Sequence, residues 1–121
     1  MSEKQYGQRV WFFPDGDIPA PGDGPLKGHE SLIILNPNNE DASVTLTMYY
    51  TDCEPGQPPA QEVKARRVRC IRLDEGVSGY TIPSGQYALK LESTVPIICQ
   101  IGRMDVSQPN LAYYTVMGFP G

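Results

Sequence analysis

The sequence predicts an all-β fold, a two-sheet sandwich of jelly-roll type built from seven or eight short strands. Three observations carry that expectation. Among 121 residues there are 12 Pro and 12 Gly, well above the usual share, and they fall between apolar runs, where they mark turns. Turn signals recur every 8–12 residues or so, the spacing of a sandwich or barrel. No stretch sustains a helical apolar period over three turns. The length is that of one domain, residues 1–121, large enough to bury a core without metals or cross-links.

Taken in order, residues 9–13 form an apolar-aromatic strand, closed by Pro14, Asp15 and Gly16. Residues 17–28 hold three Pro and three Gly and read as an irregular loop. A second strand spans residues 30–35, ended by the Asn- and Asp-rich turn 36–41, whose side chains bond their own backbone. Residues 43–50 give the cleanest alternation: Val44, Leu46, Met48 and Tyr50 on one face, Ser43, Thr45, Thr47 and Tyr49 on the other. Residues 52–59 are a further turn region. Residues 61–73 read as strand, but the apolar phase shifts from Val63 and Ala65 to Val68 and Cys70. One strand cannot bury both sets on one face, so a bulge or corner is expected at Ala65, Arg66 and Arg67, with Val68 and Cys70 inward and Arg72 sharing their face. Two strands, 86–92 and 96–103, are expected around a turn at Ser93, Thr94 and Val95, and a last strand at 112–117 ends at Gly118.

The formal charge of −4 gives no general attraction for nucleic acid or anionic lipid, so neither is expected as a primary partner. No apolar run approaches the ~20 residues that cross a bilayer, and the N-terminus lacks the apolar stretch of a signal peptide. Cys53, Cys70 and Cys99 are odd in number and without a CxxC pair, which suits a reducing compartment and predicts a cytoplasmic location.

Catalytic and metal patterns are missing. The single histidine, His29, stands in no HxH or HExxH spacing, and no GxSxG accompanies it. The Asp15-Gly16-Asp17 and 36–41 segments lack the spaced oxygen ligands of a calcium loop and are explained as turns. Residues 22–25 lack the Gly-Lys-Ser/Thr of a phosphate-cradling loop. No cofactor, metal or enzyme activity is expected. Two segments stand out instead. Lys64, Arg66, Arg67, Arg69 and Arg72 concentrate positive charge, either paired with nearby acids at a sheet edge or presented to an anion or partner. Residues 96–105 are apolar on both parities, as in a strand buried on two sides, yet they carry Gln100, Arg103 and Asp105. Such polar groups need partners, in the core, on a pocket floor or at a subunit interface.

Several segments in order then resemble the sensory rhodopsin transducer family: Trp11, Gly16, Ile18-Pro19, Gly24-Pro25, His29-Glu30, Ile34-Leu35-Asn36, Asp41-Ala42, Tyr49-Tyr50, Asp52, Glu54-Pro55, Ala65-Arg66-Arg67, Arg72, Ile82-Pro83, Ser93, Val95-Pro96-Ile97, Gln100, Arg103, Asp105 and Gln108. The match covers about residues 9 to 108. The resemblance implies a jelly-roll sandwich assembled as a cyclic homotetramer, a domain that binds small molecules such as sugars or polar metabolites, and in the named member a soluble partner of a membrane rhodopsin. It also implies a ligand-binding set: His29, Glu30, Asn36, Tyr50, Asp52, Arg66, Arg67, Gln100, Arg103 and Asp105. Three readings follow. The first is a non-catalytic ligand-sensing or signalling module; the second is an adaptor for a membrane receptor. The third is a carbohydrate-active enzyme, which would need two carboxylates about 5 or 6.5–9.5 Å apart in a cleft.

Overall fold

In the computed structural model, which describes residues 4–107 and 111–121, eight strands form two antiparallel sheets. They are β1 (Gln8–Ile18), β2 (His29–Asn36), β3 (Ala42–Tyr49), β4 (Gln61–Val63), β5 (Arg67–Arg72), β6 (Gly85–Asp105), β7 (Ala112–Met117) and β8 (Phe119–Pro120). Gln108 and the first three residues lie outside the described part. The first sheet runs β4-β3-β6-β1-β8. The second runs β5-β2-β6-β7, through the pairings of β2 with β5 and β6 and of β6 with β7. The all-β sandwich is as expected, and no described helix is long and apolar enough to cross a membrane.

The 21-residue strand β6 belongs to both sheets. Its first half pairs with β1 and β3, its second half with β2 and β7. Every odd-numbered residue from Tyr87 to Arg103 is buried, so a single side-chain parity feeds the core of both sheets. The expected turn at Ser93–Val95 is therefore absent. Ser, Thr and Pro signal a turn locally, but here the chain only passes from one set of partners to the next. Pro96, which has no N–H to donate, stands between the last β3 partner (Ser93) and the first β2 partner (Ile98), where no ladder bond is demanded of it. Its carbonyl accepts from Asn38 Nδ2 at 2.8 Å.

Strand β1 likewise runs past its expected end. Phe13 pairs with Leu89 and Gly16 with Tyr87, so three steps on β1 face two on β6. Pro14 sits in that bulge, where a missing donor does no harm. The irregular segment begins only after Ile18.

The phase shift in residues 61–73 is a corner: β4 lies in the first sheet, β5 in the second, and Arg66 between them has φ 57°. The inward set of β5 differs from expectation. Val68 is 64% exposed and Cys70 is exposed, while Ile71 and Leu73 are buried. Arg72 thus shares an outward face and binds Asp74 in a two-point ion pair of 2.8 and 2.7 Å.

The core lies between the sheets. Phe13, Leu46, Met48, Leu89 and Leu91 from the first meet Leu32, Ile34, Ile97 and Ile101 from the second, each buried to 0% exposure. Full burial of each such side chain contributes roughly 1.5–3 kcal/mol. Trp11, at the edge of this core, donates its indole N–H to the carbonyl of Ile97 at 2.9 Å.

Candidate functional site

The register of β2 against β6 sets Glu30 opposite Arg103, and that of β6 against β7 sets Arg103 opposite Tyr114. Glu30 is fully buried and Arg103 8% exposed. Arg103 donates Nε–H to Glu30 Oε2 at 2.6 Å, Nη1–H to the Tyr114 hydroxyl at 2.9 Å and Nη2–H to the Asp15 carbonyl at 3.0 Å. The Glu30 carboxylate also accepts from the Asp17 amide at 3.2 Å and from the hydroxyl of Tyr87. Burial pushes the Glu30 carboxyl above its usual range, against the pull of the Tyr87 and Arg103 bonds. Burial, with the Glu30 charge beside it, drives the Tyr87 phenol upward too. Every donor and acceptor here is satisfied from within the chain, and Glu30 has no solvent face. The cluster ties β1, β2, β6 and β7 together and offers a ligand nothing beyond the edge of Tyr114.

The remaining expected site residues do not join it. His29, on the same end of β2, bonds the Lys27 carbonyl through Nδ1 at 2.9 Å. Asp105 accepts from the Ser107 amide at 2.8 Å. Asn36 ends β2 six residues beyond Glu30, roughly 20 Å along the strand, and its Nδ2 donates to the carbonyls of Glu40 and Val63 at 2.8 and 3.1 Å. Arg66 and Arg67 flank the corner at that same end. Tyr50 pairs hydroxyl to hydroxyl with Tyr80 at 2.7 Å, and Asp52 is exposed in the turn beyond it. Gln100 lies on the outer face of the second sheet, opposite Ile33 and Met117. The set therefore divides among two ends of the sandwich, a turn and an outer face.

That outer face is the largest departure from the expected burial. Across the four strands it presents Val68, Leu35 and Ile98 in one register row and Cys70, Ile33, Gln100 and Met117 in the next. Val68 and Met117 are 64% and 68% exposed, Leu35 and Ile98 39% and 41%. Residues 96–105 read as a strand buried on both sides, yet the chain covers only one.

A different group, missed at the level of sequence except as a turn, is built on Asn38. This side chain is 5% exposed. Its Oδ1 accepts from the Tyr6 amide at 3.0 Å, its Nδ2 donates to the Tyr6 carbonyl at 3.0 Å and to Pro96, and its own carbonyl accepts the Arg66 amide at 3.0 Å. One asparagine thereby fixes the N-terminal segment, the β4–β5 corner and β6 around a groove of about 680 Å³. The bonds join segments far apart in sequence, so no local pattern announces them. Among the described residues, no group of three or more His, Cys, Asp or Glu is placed to hold a metal ion.

Comparison with known proteins agrees with this fold. No curated protein matches the chain. A crystal structure of Thermotoga maritima 1070 superposes with a TM-score of 0.84 at 35% identity, covering 95% of this chain and 96% of the other. The Anabaena sensory rhodopsin transducer superposes with a TM-score of 0.73 at 36% identity, over 83% of this chain and 90% of its own. The family model described as Anabaena sensory rhodopsin transducer matches residues 6–120. With sequence and fold agreeing along nearly its whole length, this chain belongs to the Anabaena sensory rhodopsin transducer family.

Proposed function

We propose that this protein is a non-catalytic signalling module of the cytoplasm, one that assembles with copies of itself and relays a signal from a membrane receptor of the rhodopsin kind. The observation that carries the reading is the outer face of the second sheet. Val68, Leu35, Ile98 and Met117 expose a continuous apolar surface around a groove of about 300 Å³. Apolar surfaces of that continuity mark contact sites, and subunit interfaces are more apolar than transient ones. A second copy is the occupant this composition fits, consistent with a homotetramer. The receptor role comes from the related transducer, whose name states that it transduces for a sensory rhodopsin. The buried Glu30–Arg103 cluster supports a structural role over a catalytic one, since its carboxylate is sealed from solvent.

Native mass spectrometry of the purified protein, beside the double variant Val68→Glu plus Met117→Glu, tests the assembly. A tetramer that falls to a folded monomer in the variant supports this face as the contact. A wild-type monomer would remove the assembly from the proposal. Co-purification with a membrane rhodopsin that survives a detergent control and is lost on competition with soluble receptor tails would support the relay; capture that the tails leave unchanged would count against it.

A second reading, the sensing of a small polar ligand, is favoured by one specific observation. The groove around Asn38 is fixed in place by the bonds of that buried side chain before any ligand arrives. Small-molecule sites are concave and largely preformed, with a few placed polar groups that fix the ligand's orientation.

A further inference from the structure

The chain has ten Lys and Arg residues. Most of their charged groups are engaged. Lys64, Arg72, Lys90 and Arg103 meet carboxylates. Arg9, Lys27, Arg67 and Arg69 donate to carbonyl or amide oxygens. Among the described residues, two cations remain without an acceptor, Lys4 and Arg66, and both line the groove around Asn38. Their meeting there is not a feature of sequence neighbourhood. It follows from Asn38, which clamps the Tyr6 backbone on one side and the Arg66 amide on the other.

The details fit a binding site. Arg66 holds a left-handed backbone, φ 57°, which is uncommon for a side chain of its size. The corner does not need arginine there, because glycine or asparagine adopts that conformation more readily. Lys4, an exposed side chain, is carried above the Tyr6 ring, Nζ to centroid 5.2 Å, at the groove's rim. Tyr6 itself is 54% exposed and presents a ring face. Glu40 lines the groove as well and offers an acceptor for hydroxyl groups.

We infer that this groove binds a small hydroxylated anion, a sugar-like molecule bearing a carboxylate or phosphate. The anionic group sits between Lys4 and Arg66, the ring lies against Tyr6, and hydroxyls donate to Glu40. The inference rests on the small-molecule reading above and names its site and ligand class. Arg66 contributes the fork that suits carboxylate and phosphate oxygens, Lys4 a compact point charge.

Calorimetric titration with glucuronate and glucose 6-phosphate, against glucose as the uncharged control, tests it. Both anions should bind at least about tenfold more tightly than glucose. Their affinity should fall in about 0.5 M salt, as expected for a contact made by exposed charges. Arg66→Gln and Lys4→Gln should each weaken binding about tenfold, with the circular dichroism unchanged. Amide chemical-shift changes should centre on Tyr6, Asn38 and Asn39. Glucose binding as tightly as the anions would overturn the ligand class. Anion binding that both variants leave intact, with shifts elsewhere, would overturn the groove while leaving ligand sensing in place. No binding of any probe up to about 10 mM, an affinity too weak to sense, would overturn both.

Discussion

Glu30 and Arg103 stand opposite each other on β2 and β6 and close a buried ion pair at 2.6 Å, the one such pair with both side chains sealed from water among the described residues. Around it, Tyr87 and the Asp17 amide complete the carboxylate, while Tyr114 and the Asp15 carbonyl complete the guanidinium. The arrangement converts the cost of burying two charges into a cross-tie that reaches four strands.

Removing one partner of that pair leaves the other charge buried and alone. Glu30→Gln should therefore destabilise the fold by about 3–5 kcal/mol, read from urea unfolding. Replacing both partners together, Glu30→Leu with Arg103→Met, should cost clearly less than the sum of the single changes. Additive losses in that cycle would show that the two residues act independently.

Gly16 bears on the same cluster through packing. A Cβ added there would run into the ring of the buried Tyr87, whose hydroxyl is held by Glu30. The ring is buried and anchored by that bond. Gly16→Ala should lower stability by about 1–3 kcal/mol, the usual cost of overpacking. Adding Tyr87→Phe should not relieve it, because the clash is with the ring. A thermal melt of the three proteins distinguishes these outcomes.

Much of this fold was legible in the chain, and the failures have physical causes. The alternation of residues 43–50 survives in β3, and the phase shift near Ala65 is the corner between the sheets. What misled was local chemistry read without its long-range partners. Ser93, Thr94 and Val95 read as a turn, yet Asn38 and the shared parity of β6 keep the strand continuous through them. Val68 and Cys70 look like core because they are apolar, but strand parity says only that they share a face, not which face is covered. The expected polar set scattered for a similar reason. Glu30 with Arg103 was brought together, whereas Asn36 and Arg66 belong to the opposite end and Gln100 to the outer surface. Lys4 and Tyr6 carried no pattern at all, because their role depends on one distant asparagine.

Arg72 and Asp74 give a pH-dependent contribution whose sign follows from their geometry. Burial raises the Asp74 carboxyl, but the two-point bond and the charge of Arg72 outweigh it and hold it below the usual value of 3.8. A depressed carboxylate contributes stability that is fully present above its unfolded pKa and is lost as the pH falls through the folded one. Asp74→Asn should thus cost only about 0.5–1 kcal/mol at neutral pH, since the guanidinium is partly solvated. That difference should shrink below about pH 4 and vanish on further acidification. A gap that stays constant from pH 7 to the acid limit would assign the loss to packing instead of charge.

The three cysteines report on the outer face. Cys99 is buried and burial pushes its thiol up to about 12, so it should resist maleimide until the chain unfolds. Cys53 and Cys70 are exposed, but their surroundings differ. Cys53 lies in the turn beyond β3, while Cys70 stands between Val68 and Arg72 on the outward side of β5, directly across from Ile33. If copies of the chain meet on that face, Cys70 is covered in the assembly and Cys53 is not. Intact-mass counting after brief labelling should then find one adduct per chain in the wild-type assembly. Two should appear in the dissociated Val68→Glu plus Met117→Glu protein, and a third in denaturant. Two adducts on an intact assembly would move the subunit contact away from this sheet. They would leave the apolar face free for a different partner.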